Sequence, residues 1–421
     1  MFGPNISTTE GETWKMHRRI VQQAFTDKNL QLVWSETGLL LDKMLEQWDE
    51  QQGQEVRIPH VQDMTKELGL AVFSAAALGR RMTLDHTSSE KKPLGYVHSF
   101  SQALSIVSGG IINRLLLPSW AEDLTLAGQN LASGFTEFKK YLSTMVELYQ
   151  THGKLDRNLL GSEDSPMAGS ESLFMNILVT AGEESKAPQN MDFKQQDILG
   201  NTFLLLFAGH ETTANGIAFS LGLLAAHPEV QERVYAQVKQ ATSSRAKLEY
   251  ADMNDLKLVT GVMLEALRMY PALLQLSRNA DEDFAINVAS NAPGAGEETR
   301  EAMVIPANSK VVIAIAAVHY NPTYWPEPEE FKPERFCTSY NKDAFLGFST
   351  GRKSCIGRRF AETEGTAVLA AILARYQVAI DDTRFPTIPG ESIQARRMRL
   401  LKPSHVLSVA PERLPLVFKR R

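Results

Sequence analysis

Apolar residues recur at helical spacing through most of the first 270 residues of the chain. Positions i, i+3, i+4 and i+7 are repeatedly hydrophobic, a pattern that predicts amphipathic or buried helices. Pro271 ends the last of these segments, because proline has no amide hydrogen to continue a helix. The predicted helices are Trp14–Phe25, Val33–Trp48, Met64–Ala77, Phe135–Tyr149, Ile198–Ala226, Pro228–Thr242 and Leu256–Tyr270.

Beyond residue 271 the pattern changes to shorter, β-branched segments, which are typical of strands. A proline-rich stretch from His319 to Thr350 predicts irregular structure, and residues 153–169 and 289–300 are predicted surface connections. The other predicted elements are strands at Phe284–Val288 and Met303–Ile315, a helix at Ile356–Tyr376 and strand-like alternation at Val406–Lys419. The sequence therefore predicts a mainly α fold with minor β structure, and a single domain over residues 1–421.

Composition narrows the class of protein. The 421 residues carry 44 basic and 49 acidic side chains, a net charge of −5, with 43% hydrophobic and 22% charged residues. These values are ordinary for a soluble globular protein and exclude a disordered or collagen-like chain. The acidic balance disfavours nucleic acid as a partner. No signal peptide or anchor is recognisable at the N-terminus. The apolar segment Asn201–Ala226 is long enough to span a membrane, but the polar residues in its middle favour a buried helix of a soluble protein.

The segment FLGFSTGRKSCIGRRF contains the most informative cysteine. Cys355 precedes a predicted helix, whose unpaired amides and positive dipole end stabilise a thiolate. Gly351 and Gly357 allow the backbone to turn tightly against a flat ligand, while Arg352 and Lys353 are placed to hold acidic groups. The pattern fits a thiolate ligand to haem iron. A buried structural cysteine is the alternative that the spacing alone leaves open.

The same loop matches the G-x-S-x-G pattern of a hydrolase nucleophile, with Ser349 at its centre. Asp381, Asp382 and His405 follow in the chain order that such hydrolases use. That fold requires a buried strand before the serine, and residues 337–344 are polar and irregular, so the hydrolase hypothesis is disfavoured. Cys337, the second cysteine, is interpreted as structural, since two cysteines cannot form a disulfide framework in a chain of this length.

A polar notch interrupts the long apolar helix at Ala208-Gly-His-Glu-Thr-Thr213. A buried acid beside a hydroxyl is costly unless it has partners, so Glu211 and Thr212 are candidates for proton delivery. Gly209 is expected to bend or widen the helix there and to admit water. A satisfied polar contact between helices is the alternative. A zinc site is excluded because the second histidine of that motif would stand at position 214, which is alanine.

Two further pairs complete the candidate residues. Glu265 and Arg268 share one helical face at i, i+3. If this ion pair is buried, it requires further hydrogen bonds to offset its desolvation, and Arg335 could supply them. Trp14 and Arg18 place an indole and a cation four residues apart, a spacing that by itself carries little information.

Taken in this order, these motifs resemble the cytochrome P-450 family of haem-thiolate monooxygenases. The cysteine loop is similar to the family's F-x-x-G-x-R-x-C-x-G pattern, with Lys353 where arginine is usual. The resemblance implies haem b as cofactor and Cys355 as axial thiolate. It implies that Glu211 and Thr212 activate oxygen and that Glu265, Arg268 and Arg335 form a structural triad. It also implies cofactor contacts from Trp14, Arg18, Ala208, Arg278, Phe348, Gly351, Lys353, Cys355 and Gly357.

The resemblance further implies insertion of one oxygen atom from O2 into a small apolar substrate, by hydroxylation or epoxidation. Fungal secondary metabolism or xenobiotic oxidation are the implied settings. Leu205, Ala208, Leu273 and Leu274 are the expected lining residues. Haem-thiolate peroxygenase or isomerase activity, or a non-catalytic truncated haem-binding fragment, are the alternatives.

Electrons are expected from a separate NADPH-cytochrome P-450 reductase, because the sequence contains no flavin or nicotinamide motif. Its expected basic docking face comprises Lys15, His17, Arg18, Arg19, Arg352, Lys353, Arg358 and Arg359.

Relative to microsomal-type members, the anchor, the proline-rich hinge and the elements before Trp14 are expected to be missing, leaving a sheet edge exposed. The implied location is the cytosolic face of the endoplasmic reticulum membrane for a full-length form. The chain as written is expected to be soluble.

Overall fold

A computed structural model describes most of the chain. The described residues are 2–50, 55–82, 84, 92–116, 118–122, 124–152, 173–184, 193–243, 247–289, 300–405 and 407–421. The predicted connection at 153–169 lies outside the described residues, and of the one predicted at 289–300 only the end residues Ala289 and Arg300 are described, both in strands. The remaining predicted elements can be compared with the structure.

Helices dominate the described residues. They are α1 (Gly11–Gln22), α2 (Asp27–Glu50), α3 (Val61–Leu78), α4 (Phe100–Leu116), α5 (Ser119–Glu122), α6 (Leu126–His152), α7 (Leu173–Glu184), α8 (Gln195–Ala226), α9 (Pro228–Thr242), α10 (Lys257–Met269), α11 (Ile315–His319), α12 (Arg358–Arg375) and α13 (Ile393–Leu400). Short 3-10 turns occupy Tyr250–Asp255, Pro333–Phe336 and Lys342–Ala344. The predicted mainly α class is confirmed.

Small antiparallel sheets account for the β structure of the described residues. The strands are β1 (Glu55–Ile58), β2 (Gln275–Asn279), β3 (Phe284–Ala289), β4 (Arg300–Ile305), β5 (Lys310–Ala314), β6 (Tyr376–Ile380), β7 (Pro403–His405), β8 (Val409–Pro411) and β9 (Leu416–Arg420). One sheet has the order β1-β9-β6, and the others are the pairs β2-β5, β3-β4 and β7-β8. Most side chains of β2 and β5 reach solvent.

Two predicted strands are each divided in the structure. Met303–Ile315 forms β4 and β5, separated by a turn in which Asn308 adopts a left-handed φ of 65°. Val406–Lys419 forms β8 and β9, and Pro411 and Pro415 bracket the break because proline donates no ladder hydrogen bond. The predicted helices agree with the structure apart from end shifts, the largest being the start of α6, nine residues earlier at Leu126.

Some elements carry too weak a pattern to be predicted. Helices α4, α7 and α13 and strands β1, β2 and β6 have no counterpart among the predicted elements. The four residues of β1 are too few to show alternation. In α4 the apolar residues surround two adjacent glycines, so no single face is marked. Such segments become ordered mainly through the tertiary contacts that cover them.

The core is built where α3 crosses α8 at close range. A Cβ added at Gly69 would lie 3.1 Å from the carbonyl oxygen of His210. A Cβ added at Gly209 would lie 2.5 Å from Cε2 of Phe73. The two glycines therefore allow the helices to approach closely. Helix α8 is α-helical without interruption from Gln195 to Ala226, and the close contact with Phe73 is a packing reason for glycine at position 209.

Replacing Gly209 by alanine is expected to destabilise the fold by about 1–3 kcal/mol, because the new methyl group overlaps the Phe73 ring. Gly38, within α2, is a matched control, since a Cβ there has nothing within 4 Å. Gly38→Ala should stabilise by up to about 1 kcal/mol through helix propensity. Urea unfolding measures both. Equal effects of the two substitutions would contradict the packing argument.

No helix among the described residues combines the length and apolar character needed to cross a bilayer.

Candidate functional site

The cysteine loop is a tightly folded turn that leads into α12. Ser349 and Gly351 both adopt left-handed conformations, with φ of 58° and 74°. The amide of Cys355 donates to the carbonyl of Phe348 at 2.8 Å, and the amide of Ser354 donates to Gly351 at 3.1 Å. These bonds close the loop on itself. Cys355 is thereby fixed immediately before the first turn of the helix, as the sequence predicts.

The Cys355 thiol is solvent-accessible at the mouth of this loop. Surrounding atoms nevertheless desolvate it, and this burial raises the pKa of Cys355 above its ordinary value. A hydrogen bond from the Gly357 amide and the charges of Arg18 and Arg358 act in the opposite direction. The helix end therefore favours the thiolate as predicted, but it does not outweigh desolvation. Metal ligation requires the deprotonated form.

Three predicted cofactor contacts meet beside this loop. Nη1 of Arg18, on α1, donates to the carbonyl of Ser354 at 2.8 Å. The Lys353 ammonium lies 5.7 Å from the centre of the Trp14 ring and pairs with Glu10. The fold therefore brings together residues that are more than 330 positions apart in the sequence. A cluster of cations next to a thiol is suited to hold the acidic groups of a bound ligand.

Arg278 is on the exposed strand β2. Its Nη1 donates to the neighbouring carbonyl of Ser277 at 2.9 Å. Leu273 and Leu274, two of the expected lining residues, are exposed just before the same strand. Leu205, a third, is buried in the core. These positions remain predictions for the substrate and cofactor site.

Helix α8 is mostly buried, but Ala208, Glu211 and Thr212 near its middle are at least partly accessible. Ala208 is exposed, and Oγ1 of Thr212 donates to its carbonyl at 2.8 Å. Glu211 points elsewhere, since successive helical residues do not share a face. Its carboxylate accepts from Oγ of Ser408 at 3.3 Å and lies 4.0 Å from Nζ of Lys66. The acid and the hydroxyl are thus neighbours in sequence with different partners.

An aromatic cluster of Phe25, Phe73, Phe174 and Phe360 connects this part of α8 with the cysteine loop. Phe73 contacts Gly209 of α8, and its ring centre is 5.4 Å from that of Phe360, in the first turn of α12. Phe25 and Phe174 complete the cluster with ring centres 5.0 Å apart. A Cβ at Gly357 would touch Phe25 at 3.8 Å. The two candidate sites are therefore neighbours across one cluster of rings.

The predicted ion triad is formed and buried. Arg268 donates from Nε and Nη2 to the two carboxylate oxygens of Glu265, at 2.7 and 2.9 Å, and both side chains are fully inaccessible. Nε of Arg335 donates to Glu265 at 3.3 Å, as does the amide of Lys332 at 3.0 Å. These bonds supply what a buried pair needs to offset its desolvation.

His17 does not belong to the predicted basic surface. Its side chain is fully buried, and burial lowers its pKa, so the ring is neutral. Its Nδ1 accepts from the amide group of Asn201 at 2.7 Å, which links α1 to α8. Several cations of that surface are paired with acids, among them Arg359 with Asp27. The burial of this histidine follows from helix packing that the sequence does not display.

The hydrolase hypothesis is wrong, because its four residues have other environments, Asp382 being paired with Arg396. The hydroxyl of Ser349 has no hydrogen-bond partner among the described residues. The buried carboxylate of Asp381 pairs with Arg57 at 2.6 Å. His405 is exposed on β7. Within the described residues no group of three or more side chains is arranged to hold a metal ion by itself.

Two buried residues near these sites are not predicted from the sequence. His319 contacts the cysteine loop, and Glu364 of α12 is fully buried with no hydrogen-bond partner among the described residues. Burial raises the pKa of Glu364 well above its ordinary value, which favours the protonated carboxyl. Neither residue belongs to a recognisable motif. Their only signal is a polar residue within an otherwise apolar or proline-rich context.

Comparisons with known proteins agree with this arrangement. A family model described as cytochrome P-450 matches residues 2–405. Cytochrome P-450 monooxygenase 124 of Postia placenta is 34% identical, over the whole of this chain and 77% of its own length. Cytochrome P-450 monooxygenase ORF6 of Penicillium roqueforti is 28% identical, over 90% of this chain and 69% of its own length.

The fold also has solved counterparts. The crystal structure of the heme domain of a cytochrome P-450DA mutant aligns with a TM-score of 0.73 at 22% identity. That alignment covers all of this chain and 80% of the solved one. A cytochrome P-450 crystal structure, CYP102L1, aligns with a TM-score of 0.71 at 21% identity, covering 99% of this chain and 81% of that one. These matches show the fold.

Proposed function

Because the chain belongs to the cytochrome P-450 family of haem-thiolate monooxygenases, we propose that it inserts one oxygen atom of O2 into an apolar organic substrate. The placement of Cys355 supports the proposal most strongly. The loop bond to Phe348 and the amide of Gly357 hold the thiol at the start of α12, beside the Arg18 guanidinium. Oxidation of a secondary metabolite or a foreign compound is the setting proposed for this chemistry.

The residues around the loop fit a haem group. Cys355 would supply an accessible soft ligand, and Arg18, Lys353 and the Trp14 indole, which lie together beside the loop, would hold the acidic groups of the haem. Ala208 of α8 is small and exposed, so a bound group could approach the helix closely there. When bound, haem with a thiolate ligand supplies the electron-rich iron that favours cleavage of the O–O bond.

The residues of α8 are placed to handle protons. The Thr212 hydroxyl donates to the Ala208 carbonyl, so its oxygen lone pairs are available to accept a hydrogen bond from water. Glu211 lies between the buried Ser408 and the partly exposed Lys66, and can exchange a proton with solvent. In this proposal Glu211 admits protons from the surface and Thr212 orients the water that carries them.

Electron supply is proposed to come from a separate NADPH-dependent reductase. The exposed cations Arg19 and Arg352 lie on α1 and the cysteine loop, on either side of the Arg18 contact. An acidic partner surface placed there would approach the loop that carries Cys355. Electrostatic complementarity of this kind mainly raises the association rate and weakens with salt.

Replacing Thr212 by alanine is expected to divert reducing equivalents into peroxide, since the hydroxyl that positions water is removed. Haem-loaded protein would be assayed with reductase, NADPH and a panel of apolar substrates, measuring NADPH use, peroxide and oxygenated product. We expect the share of NADPH recovered as product to fall about 10-fold or more, in keeping with the loss of the water molecule that Thr212 positions for proton transfer.

Thr212→Ser keeps the hydroxyl and is the matched control, so it should resemble the wild type in coupling. Equal coupling in all three proteins would remove Thr212 from the mechanism. Product formation with peroxide alone, and none with reductase, would favour the peroxygenase alternative. Absence of haem uptake by the wild type would contradict the proposed function itself.

A further inference from the structure

His319, at the end of α11, connects two parts of the chain through its ring. The amide of Leu346, at the start of the cysteine loop, donates to Nε2 at 2.8 Å. Because an amide can only donate here, Nε2 carries no proton and the ring proton is on Nδ1. That Nδ1–H donates to the carbonyl of Arg268 at 2.9 Å. The two bonds assign the tautomer and require a neutral ring.

The surroundings of the ring maintain this neutral state. His319 is fully buried, stacks on Phe345 with ring centres 5.6 Å apart, and meets the edge of Trp325 at 6.4 Å. Burial, together with the nearby Arg268 charge, lowers the pKa of His319 to about 4. The ring is therefore neutral throughout the physiological range. Arg268, paired with Glu265, is the charged group that acts on it.

The link between α10 and α11 is also reciprocal. Nη1 of Arg268 donates to the carbonyl of His319 at 2.8 Å, while the His319 ring donates to the carbonyl of Arg268. The Glu265–Arg268 pair is thus joined to the loop through one imidazole. On the described contacts, the only polar bond between this ring and the loop is the one to Leu346.

We propose that His319 is a positioning residue that fixes the start of the haem-binding loop to the Glu265–Arg268 helix, and so holds Cys355 in place for iron. The inference rests on the proposed function for its consequence at the iron, but the loop contact is independent of it. Through the bond to Leu346, the rigidity of the buried triad reaches the loop nine residues before the cysteine.

Two substitutions separate the two ring bonds. In His319→Asn the amide nitrogen takes the place of Nδ1 and keeps the bond to Arg268, but the side chain is too short to reach Leu346. In His319→Gln the carbonyl oxygen takes the place of Nε2 and can accept from Leu346. His227→Gln is the control, because His227 is another largely buried, neutral histidine whose ring pairs with Glu229.

Hydrogen–deuterium exchange of the full chain, with and without haem, reports directly on the Leu346 amide. We expect His319→Asn to speed its exchange by about tenfold or more, the effect of losing one buried hydrogen bond. His319→Gln and His227→Gln should leave it close to wild type. Equal protection in the asparagine variant and the wild type would overturn the proposal.

The reduced carbon monoxide difference spectrum gives the second measurement. The asparagine variant should show a larger share of haem without the thiolate-type, red-shifted band, and the glutamine variant should restore that band. Identical spectra of the two variants would overturn the positioning role. If the wild type itself lacked the band, the proposed function would fail while the exchange result still decided the loop contact.

Discussion

Replacing Cys355 by serine is expected to abolish both the thiolate-type spectrum and monooxygenase activity. The serine hydroxyl is far less acidic than a thiol and does not supply the electron density that thiolate ligation gives to iron. The loop itself should survive, because its closing bond between the Cys355 amide and the Phe348 carbonyl involves only backbone. Circular dichroism and the reduced carbon monoxide difference spectrum of haem-loaded protein measure the two outcomes separately.

Cys337 provides the matched control, since it is the only other cysteine in the sequence. It is exposed, and partial burial with the nearby Glu334 raises its pKa. Cys337→Ser should keep the thiolate-type band and the activity. A red-shifted band that persisted in Cys355→Ser and disappeared in Cys337→Ser would contradict the proposal, because Cys337 would then be the iron ligand.

Replacing Glu265 by glutamine is expected to destabilise the protein by about 3–5 kcal/mol, since it leaves the Arg268 guanidinium buried without a counter-charge. Glutamine keeps the size of the side chain, so the loss reports on charge and hydrogen bonding. A loss of this size is a large fraction of the stability of a typical domain. Urea unfolding at neutral pH, followed by circular dichroism, measures it, and haem retention should fall in parallel.

The ion pair between Arg233 and Glu334 is the control for this prediction. Its closest atoms are also 2.7 Å apart, but the two side chains are about half exposed, at 53% and 46%. Exposed pairs contribute little, so Glu334→Gln should cost less than about 1 kcal/mol. If the two glutamine variants unfolded at similar urea concentrations, the buried triad would not contribute more to stability than an exposed ion pair.

The candidate site could be predicted where its residues lie close together in the sequence. The cysteine loop, the 208–213 notch and the Glu265–Arg268 spacing are each local patterns, and the structure places all three as described above. At Gly209 the sequence predicts a bend or a widening, and the structure adds a close contact with Phe73 of α3, which is 136 positions away. A glycine in a helix signals either a bend or a close approach, and the sequence does not distinguish them.

Other features depended on partners that no local pattern reveals. His17 stands among basic residues, yet it is buried against Asn201. The pKa of Cys355 follows desolvation more than the helix end beside it. The Met303–Ile315 segment is different, because a local signal was present: Pro306, Asn308 and Ser309 at its centre are turn residues, and the turn observed at Asn308 divides it into two strands.

By itself, the sequence determined the mainly helical class, the cysteine before α12 and the resemblance that the family match confirms. These depend on residue identity and short-range spacing, which the chain fixes directly. The tertiary structure alone decided which groups meet: Arg18 with the Ser354 carbonyl, and His319 with the Leu346 amide. Hydrogen bonds, burial and the resulting pKa values depend on neighbours in space, and folding brings those neighbours from distant parts of the chain.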